Sequence, residues 1–148
     1  MAKLKEKIGI GSDHAGYKLK ELIKDRLVKD ELYDIIDFGT YSEDSVDYPD
    51  YAHPVGRGIE DGVFRRAIVI CGSGNGVNMT VNKYSSVRSA VCWRAKIAEL
   101  ARLHNDANVL ALPARFVSDE EALEMTEIFL NTAFEGGRHK NRVDKICL

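Results

Sequence analysis

The residues with the clearest chemical potential form one glycine-rich segment, Gly72-Ser73-Gly74-Asn75-Gly76, directly after the apolar run 67–71. Glycines let backbone N–H groups approach an anion closely, and the start of a following helix favours negative charge. The segment lacks the Gly-Lys-Ser/Thr ending of a P-loop and the glycine spacing of a dinucleotide-binding loop. It predicts an anion cradle or, alternatively, a tight turn from strand to helix that binds nothing.

Cys71 ends the apolar run and stands immediately before the glycines. A free thiol has a pKa of about 8.5, and a helix N-terminus can lower that pKa enough to make the thiolate a usable base or nucleophile. The alternative is a small buried hydrophobic residue, because free cysteines in apolar strands commonly take that role. Cys92 and Cys147 lack such a setting and are predicted to be inert, small buried residues of this second kind.

Two histidines are candidates for proton transfer. Asp13 and His14 follow an apolar run near the N-terminus, and a carboxylate beside an imidazole can fix its tautomer or raise its pKa. Alternatively, Asp13 only caps the following helix and His14 is exposed. His104 continues the apolar stripe of a predicted helix, which fits either an acid–base role or a histidine satisfied in the core.

Three arginines, Arg115, Arg138 and Arg142, are candidates for binding phosphate, because guanidinium groups match phosphate oxygens in bidentate geometry. For the last two, which belong to a basic block, the alternative is a solvated tail. Histidines, cysteines and carboxylates show no metal-ligand spacing along the sequence, so we predict chemistry without a metal. The three cysteines form no C-x-x-C pair, which argues against a disulfide framework and favours a reducing compartment.

Alternating strands and helices must position these residues. Apolar runs that read as strands alternate with helical patterns, which is typical of a parallel sheet between helices. The strands are predicted at 7–11, 35–38, 67–71, 89–93 and 109–112. A helix is expected from about Pro49, with Pro54 tolerated only in its first turn, and another helix from 77 to about 83. Ser118-x-x-Glu121 is a capping box that begins a last helix, which ends near Thr132.

These elements predict an α/β fold: a single-domain, Rossmann-like three-layer sandwich over residues 1–148 with a five-stranded parallel sheet. Residues 133–148 are expected to form a C-terminal arm that docks on another surface. Ligands of such sheets bind beyond the carboxyl ends of the strands. That edge should therefore carry 12–14, Thr40, the glycine segment and 113–115.

Composition limits the classes of function. The chain has 148 residues, 45% of them hydrophobic, and a net charge of -2. This size suits one compact domain, and the charge gives no attraction to nucleic acid or an anionic membrane. No apolar run approaches the roughly 18 residues of a membrane span, and residues 1–7 are too short and charged for a signal peptide. A cytoplasmic protein is expected.

Five short motifs occur in order between about residue 7 and residue 146. They are Ser12-Asp13-His14-Ala15-Gly16, Asp47-Tyr48-Pro49-Asp50-Tyr51-Ala52, Cys71-Gly72-Ser73-Gly74-Asn75-Gly76, His104-Asn105-Asp106-Ala107-Asn108 and Glu135-Gly136-Gly137-Arg138-His139. Together they resemble ribose-5-phosphate isomerase type B, in the family that also includes galactose-6-phosphate isomerase subunits.

This resemblance implies interconversion of ribose 5-phosphate and ribulose 5-phosphate in the pentose phosphate pathway, without metal or cofactor, through a cis-enediolate. By resemblance, Cys71 would move the proton between C2 and C1, and His104, with Asp13 as a second candidate, would assist ring opening. The other roles would be enediolate binding by Gly72 to Gly76 including the Ser73 hydroxyl, sugar positioning by Tyr48 and Asn105, and phosphate binding by His14, Arg115, Arg138 and Arg142.

Some members of the family replace the cysteine base with a glutamate in the next helix, but that position is Val77 here, so the cysteine variant is expected. The resemblance also implies a homodimer or tetramer with active sites shared between subunits, to which the arginines of the C-terminal arm would contribute. Two alternatives stay open. One is a galactose- or allose-6-phosphate isomerase, and the other is a non-catalytic sugar-phosphate-binding module that needs neither Cys71 nor His104.

Overall fold

The computed structural model describes residues 3–147, so residues 1, 2 and 148 of the predicted domain lie outside the described part. The chain alternates strands and helices from end to end. The strands are β1 (Glu6–Ser12), β2 (Tyr33–Asp37), β3 (Arg66–Cys71), β4 (Ser89–Val91) and β5 (Val109–Pro113). The helices are α1 (Tyr17–Lys29), α2 (Tyr48–Glu60), α3 (Asn75–Val81), α4 (Ala95–Asn105), α5 (Asp119–Asn131) and α6 (Arg138–Asp144).

All five strands are parallel and follow the order β2-β1-β3-β5-β4 in one sheet. The chain leaves β1 toward one side of the sheet to form β2, and then crosses to the other side to form β3. The carboxyl ends of β1 and β3 therefore flank the point at which the direction of winding reverses. In open α/β sheets this is the position of the ligand crevice.

The sheet is covered by helices on both faces. The side chains of β3 show this, because they point alternately into two different core clusters. Ile68 and Ile70 belong to a core cluster with apolar residues of α1, α4 and α5, whereas Val69 and Cys71 belong to a second cluster with α2 and α3. Both sets are almost fully buried. The predicted α/β sandwich with a five-stranded parallel sheet is confirmed. The capping box of Ser118 with Glu121 is also present.

Two helices differ from the prediction. Pro54 lies in the second turn of α2, not in its first turn. The proline removes a hydrogen bond to the carbonyl of Asp50, but that residue is exposed in the first turn, where water can satisfy the carbonyl. Helix α3 begins at Asn75, two residues earlier than predicted, so Asn75 and Gly76 lie in its first turn.

The C-terminal arm contains the short helix α6, which packs against α4 of the same chain. The segment that leads into α6 is joined to α4 by a backbone hydrogen bond from the N–H of Glu135 to the carbonyl of Leu103, at 3.1 Å. The arm thus docks, at least in part, on its own domain. Among the helices of residues 3–147, none has the length and apolar character needed to cross a membrane.

Candidate active site

Three segments meet at the carboxyl edge of the sheet. The N–H of Asp13, just beyond β1, lies 3.3 Å from the carbonyl of Ile70, and Cys71 is paired in register with Pro113. Backbone N–H groups of Ala114 and Arg115 donate to the carbonyls of Cys71 and Gly72 at 2.9 and 3.0 Å. This edge therefore brings Asp13, Cys71 and Arg115 together, as the sheet predicted from sequence requires.

Cys71 is nearly enclosed, with 4% of its surface exposed. It ends β3 on the face covered by α2 and α3, in contact with an apolar cluster that includes Val77. This enclosure shields the sulfur from bulk water. The position suits a thiol that acts on one atom of a bound molecule better than one that reacts freely with solvent.

The glycine segment after Cys71 folds back sharply because Gly74 has a φ of +77°, in the left-handed region that favours glycine. The Ser73 hydroxyl accepts a hydrogen bond from the N–H of Asn75 at 3.3 Å. A Cβ added to Gly76 would lie 2.5 Å from the ring of Tyr48, and one added to Gly72 would lie 3.2 Å from an Arg115 nitrogen. Tyr48 and Arg115 thus flank the segment closely.

Asp13 and His14 have separate partners. The buried Asp13 carboxylate accepts a hydrogen bond from the N–H of Gly16 at 3.1 Å. The N–H of Val46 donates to His14 Nδ1 at 3.1 Å, which leaves Nε2 to carry the proton of the neutral ring. The expectation that Asp13 could fix the tautomer of His14 is therefore wrong, since the backbone of Val46 does so.

The remaining candidates lie at the opposite edge of the sheet. Helix α4 leaves the carboxyl end of β4 and returns antiparallel, so His104 and Asn105 at its end lie near the start of β5. Arg138 and Arg142 are exposed on α6, which packs on α4. β3 has six residues, and at about 3.3 Å per step its length separates the two edges by roughly 17 Å. One chain does not bring Cys71 and His104 into a single site.

His104 forms a compact cluster with two residues of the C-terminal arm. Its ring stacks on that of His139, with centroids 4.1 Å apart and an angle of 14° between planes. The Glu135 carboxylate lies beside both rings, with Oε2 3.9 Å from His104 Nε2 and Oε1 3.7 Å from His139 Nε2. The side chain of His104 is 40% exposed, so the alternative of a core histidine is wrong.

His139 is the buried member of this cluster. Desolvation lowers the pKa of His139, and the positive charges of His104, Arg138 and Arg142 act in the same direction, whereas Glu135 opposes them. Neither Glu135 nor His139 was predicted to have a role in the site. Their four-residue spacing across Gly136 and Gly137 is the one signal in the sequence, and their contact with α4 follows only from the tertiary fold.

The other two cysteines differ from each other. Cys92 is fully buried, and burial raises the pKa of its thiol to about 12, so it remains protonated and inert as predicted. Cys147 is exposed, with its sulfur 3.2 Å from the carbonyl of Ser85. The interpretation of Cys147 as a small buried residue is therefore wrong, because the C-terminal segment that carries it lies on the surface.

Comparison with known proteins gives consistent similarities. The model of the family described as "Ribose/Galactose Isomerase" matches residues 8–146. Ribose-5-phosphate isomerase B of Escherichia coli is 40% identical over 141 residues, covering 95% of this chain and 94% of that protein. The Clostridium thermocellum enzyme of the same name has a structure with a TM-score of 0.92 and 48% identity, covering 95% of this chain and 94% of the other.

A third similar protein carries a ligand. The structure of ribose-5-phosphate isomerase B from Mycoplasma genitalium with bound ribulose 5-phosphate has a TM-score of 0.92 and 40% identity to this chain. The alignment covers 97% of this chain and 95% of the Mycoplasma chain. The two proteins are therefore similar in both sequence and fold over nearly their full lengths.

Proposed function

The chain belongs to the ribose/galactose isomerase family, and we propose that it interconverts ribose 5-phosphate and ribulose 5-phosphate. The observation that carries this proposal is the nearly enclosed thiol of Cys71 at the carboxyl edge, beside Asp13 and the glycine segment. The ribulose 5-phosphate bound to the Mycoplasma relative supports the choice of a five-carbon substrate.

Cys71 is the base in this proposal. Its thiolate removes the proton from C2 of the open-chain aldose, the electron pair forms a C1–C2 double bond, and the negative charge moves to the oxygen on C1. The thiol then returns the proton to C1, while the proton of the C2 hydroxyl passes to the oxygen on C1. A ketose results, and neither oxidant nor reductant is consumed.

The enediolate between these steps needs donors at fixed positions. Residues 72–76 turn directly beyond the base, and Gly72 and Gly76 leave room for Arg115 and Tyr48 to lie against them. Donors fixed in a site with little water stabilise a developing oxyanion without reorganising. We assign the oxyanion contacts to the glycine segment and the Ser73 hydroxyl, and the positioning of the sugar to Tyr48.

The phosphate requires positive charge away from the reacting carbons. His14 and Arg115 supply donors on the same edge as Cys71. Phosphate binding far from the reacting carbons holds the substrate in one orientation, and this fixed orientation lowers the entropic part of the barrier. We assign the phosphate to these two side chains, together with Arg138 and Arg142 of a second copy.

A second copy of the chain completes the site in this account. Ring opening needs an acid, yet His104 and Cys71 of one chain lie at opposite edges of the sheet, which β3 separates by roughly 17 Å. His104, Asn105, Arg138 and Arg142 share one edge, and each has an exposed side chain or, for His104, a partly exposed one. We propose a homodimer, or a tetramer built from it, in which this edge of one subunit faces the Cys71 edge of another.

The proposed reaction belongs to the pentose phosphate pathway, and we place it in the cytoplasm. The three free cysteines support a reducing compartment.

The test is an assay of the purified chain with ribose 5-phosphate in the presence of EDTA, following ketose formation. We expect turnover, with lower kcat/KM for galactose 6-phosphate and allose 6-phosphate. Faster reaction with a six-carbon phosphate would reassign the substrate. Binding of ribose 5-phosphate without turnover would indicate a non-catalytic sugar-phosphate-binding module instead of an enzyme.

A further inference from the structure

The cluster of His104, Glu135 and His139 offers three groups that can bind a metal ion. One ligand atom from each, two imidazole nitrogens and one carboxylate oxygen, lie within 4.8 Å of one another. The cluster joins the end of α4 to the segment before α6, and the Glu135 N–H to Leu103 carbonyl bond fixes that junction. The spacing is therefore set by the backbone as well as by the side chains.

A separate observation at this cluster points to a missing ligand. The side chain of His139 is 7% exposed, and its Nε2 has no hydrogen-bond partner among residues 3–147. A buried polar atom without a partner costs free energy, which is why such atoms usually bind water, an ion or another group. The nearest carboxylate oxygen, from Glu135, is 3.7 Å away, too far for a hydrogen bond.

We propose that His104, Glu135 and His139 form a binding site for a divalent transition-metal cation of the Zn²⁺ class. Imidazole nitrogen and carboxylate oxygen are normal zinc ligands, and three protein ligands leave a fourth position open. In a tetrahedral site with bonds of about 2.0 Å, neighbouring ligand atoms lie roughly 3.3 Å apart. The Glu135 oxygens, at 3.9 and 3.7 Å from the two nitrogens, are close to that separation.

Binding requires a small rearrangement, because the nitrogen lone pairs of two stacked, nearly parallel rings do not converge on one ion. His104 must tilt out of the stack to direct Nε2 at the ion. It has room to do so, since its side chain is 40% exposed, and the 55% exposed Glu135 can follow. Arg138 and Arg142 repel a cation, so we expect affinity in the micromolar range rather than that of a structural zinc site.

The consequence for activity rests on the proposed function. If His104 is the acid that opens the sugar ring, an ion on its Nε2 removes the proton that it must donate. Zn²⁺ would then be a reversible inhibitor of an enzyme whose reaction needs no metal. Metal binding and inhibition are separable, because the first can be measured without substrate.

Binding is tested by histidine ring NMR on the full chain in a Cys147→Ser background, which removes the exposed thiol. The chain has four histidines, so each ring can be followed. On adding Zn²⁺, we expect the signals of His104 and His139 to shift together and saturate at one ion per chain, with a Kd below about 50 μM. Weaker binding, or shifts confined to His14 and His53, would overturn the site.

A matched pair of variants tests the carboxylate. Glu135→Gln should weaken Zn²⁺ binding at least about 10-fold, since it removes the only anionic ligand. Glu99→Gln, which removes an α4 carboxylate paired with Lys96, should leave the affinity unchanged. Equal affinities for these two variants would contradict the assignment.

Inhibition is tested with ribose 5-phosphate as substrate. Saturating Zn²⁺ should lower the activity of the Cys147→Ser chain at least about 10-fold, and EDTA should restore it. Full activity with the site saturated would show that an ion there does not block His104. A chain without any isomerase activity would refute the proposed function, but the NMR titration would still decide the metal site.

Discussion

The pair of Lys20 and Asp37 gives a sharp prediction about stability. The Lys20 side chain is fully buried, and its Nζ lies 2.7 and 2.9 Å from the two carboxylate oxygens of Asp37. Glu21 provides a second partner at 2.9 Å. Asp37→Asn keeps the shape of the side chain and one oxygen, but it leaves the buried ammonium without its main counter-charge.

The expected cost follows from this geometry. Removing one partner of a buried ion pair destabilises proteins by about 3–5 kcal/mol, because an uncompensated charge remains. Since Glu21 still contacts Lys20, we expect the lower end, about 3 kcal/mol. For a chain of this length, a loss of about 3 kcal/mol lowers Tm by roughly 6–12 °C.

Urea denaturation and thermal unfolding of Asp37→Asn and Glu43→Gln provide the assay. Glu43 pairs with Lys18 at 3.4 Å on the surface, with side chains 60% and 80% exposed, so its loss should cost less than about 1 kcal/mol. Equal losses in the two variants would refute the assignment of Lys20 and Asp37 as a stabilising buried pair.

The same variant has a defined pH dependence. Burial pushes the pKa of Asp37 upward, but hydrogen bonds from Lys20, the Gly39 N–H and Lys24 outweigh it and lower the pKa below its usual value. Because the pKa of Asp37 is lower in the folded state, its ionised form stabilises the protein fully at pH values above the unfolded-state pKa of about 3.9. This stabilisation is lost as the pH falls through the folded-state pKa. The stability difference between wild type and Asp37→Asn should therefore be full at pH 7 and shrink below about pH 4.

Three further predictions concern the site and one helix end. Gly76→Ala should displace Tyr48, because the new Cβ would lie 2.5 Å from the tyrosine ring. We expect a higher KM and a free energy of unfolding in urea that is about 1–3 kcal/mol lower. Unchanged values would mean that the ring moves freely. Arg142→Ala should raise KM and leave kcat nearly unchanged, whereas Lys140→Ala should alter neither; equal kinetics would place Arg142 outside the site. Ser118→Ala should cost about 1 kcal/mol in urea denaturation, because it removes the hydrogen bond to the Glu121 N–H.

Much of the fold could be predicted because its signals are local. The β-branched run before Cys71 is buried on both faces, and the capping box at Ser118 satisfies the first turn of its own helix. Parallel strands then place Asp13, Cys71 and Arg115 at one edge without further information. Pro54 was misjudged because the cost of a proline depends on whether water reaches the carbonyl that loses its partner, which the sequence does not report.

The separation of Cys71 from His104 was also within reach of the sequence. A helix between parallel strands runs antiparallel to them, so a residue at the end of such a helix lies at the amino edge, away from the ends of the strands. The contact of His104 with Glu135 and His139 was not accessible in this way. It depends on how a glycine-containing arm packs against α4, which no periodic pattern encodes.

In the proposed mechanism, the thiol of Cys71 transfers the proton. The most direct measurement is kcat/KM for ribose 5-phosphate with Cys71→Ala, compared with Cys147→Ala, which removes an exposed thiol away from β3. We expect a loss of at least about 100-fold for Cys71→Ala, the usual scale for removing a general base, and little change for Cys147→Ala. A Cys71→Ala chain that retains activity within about 10-fold of wild type would contradict the account.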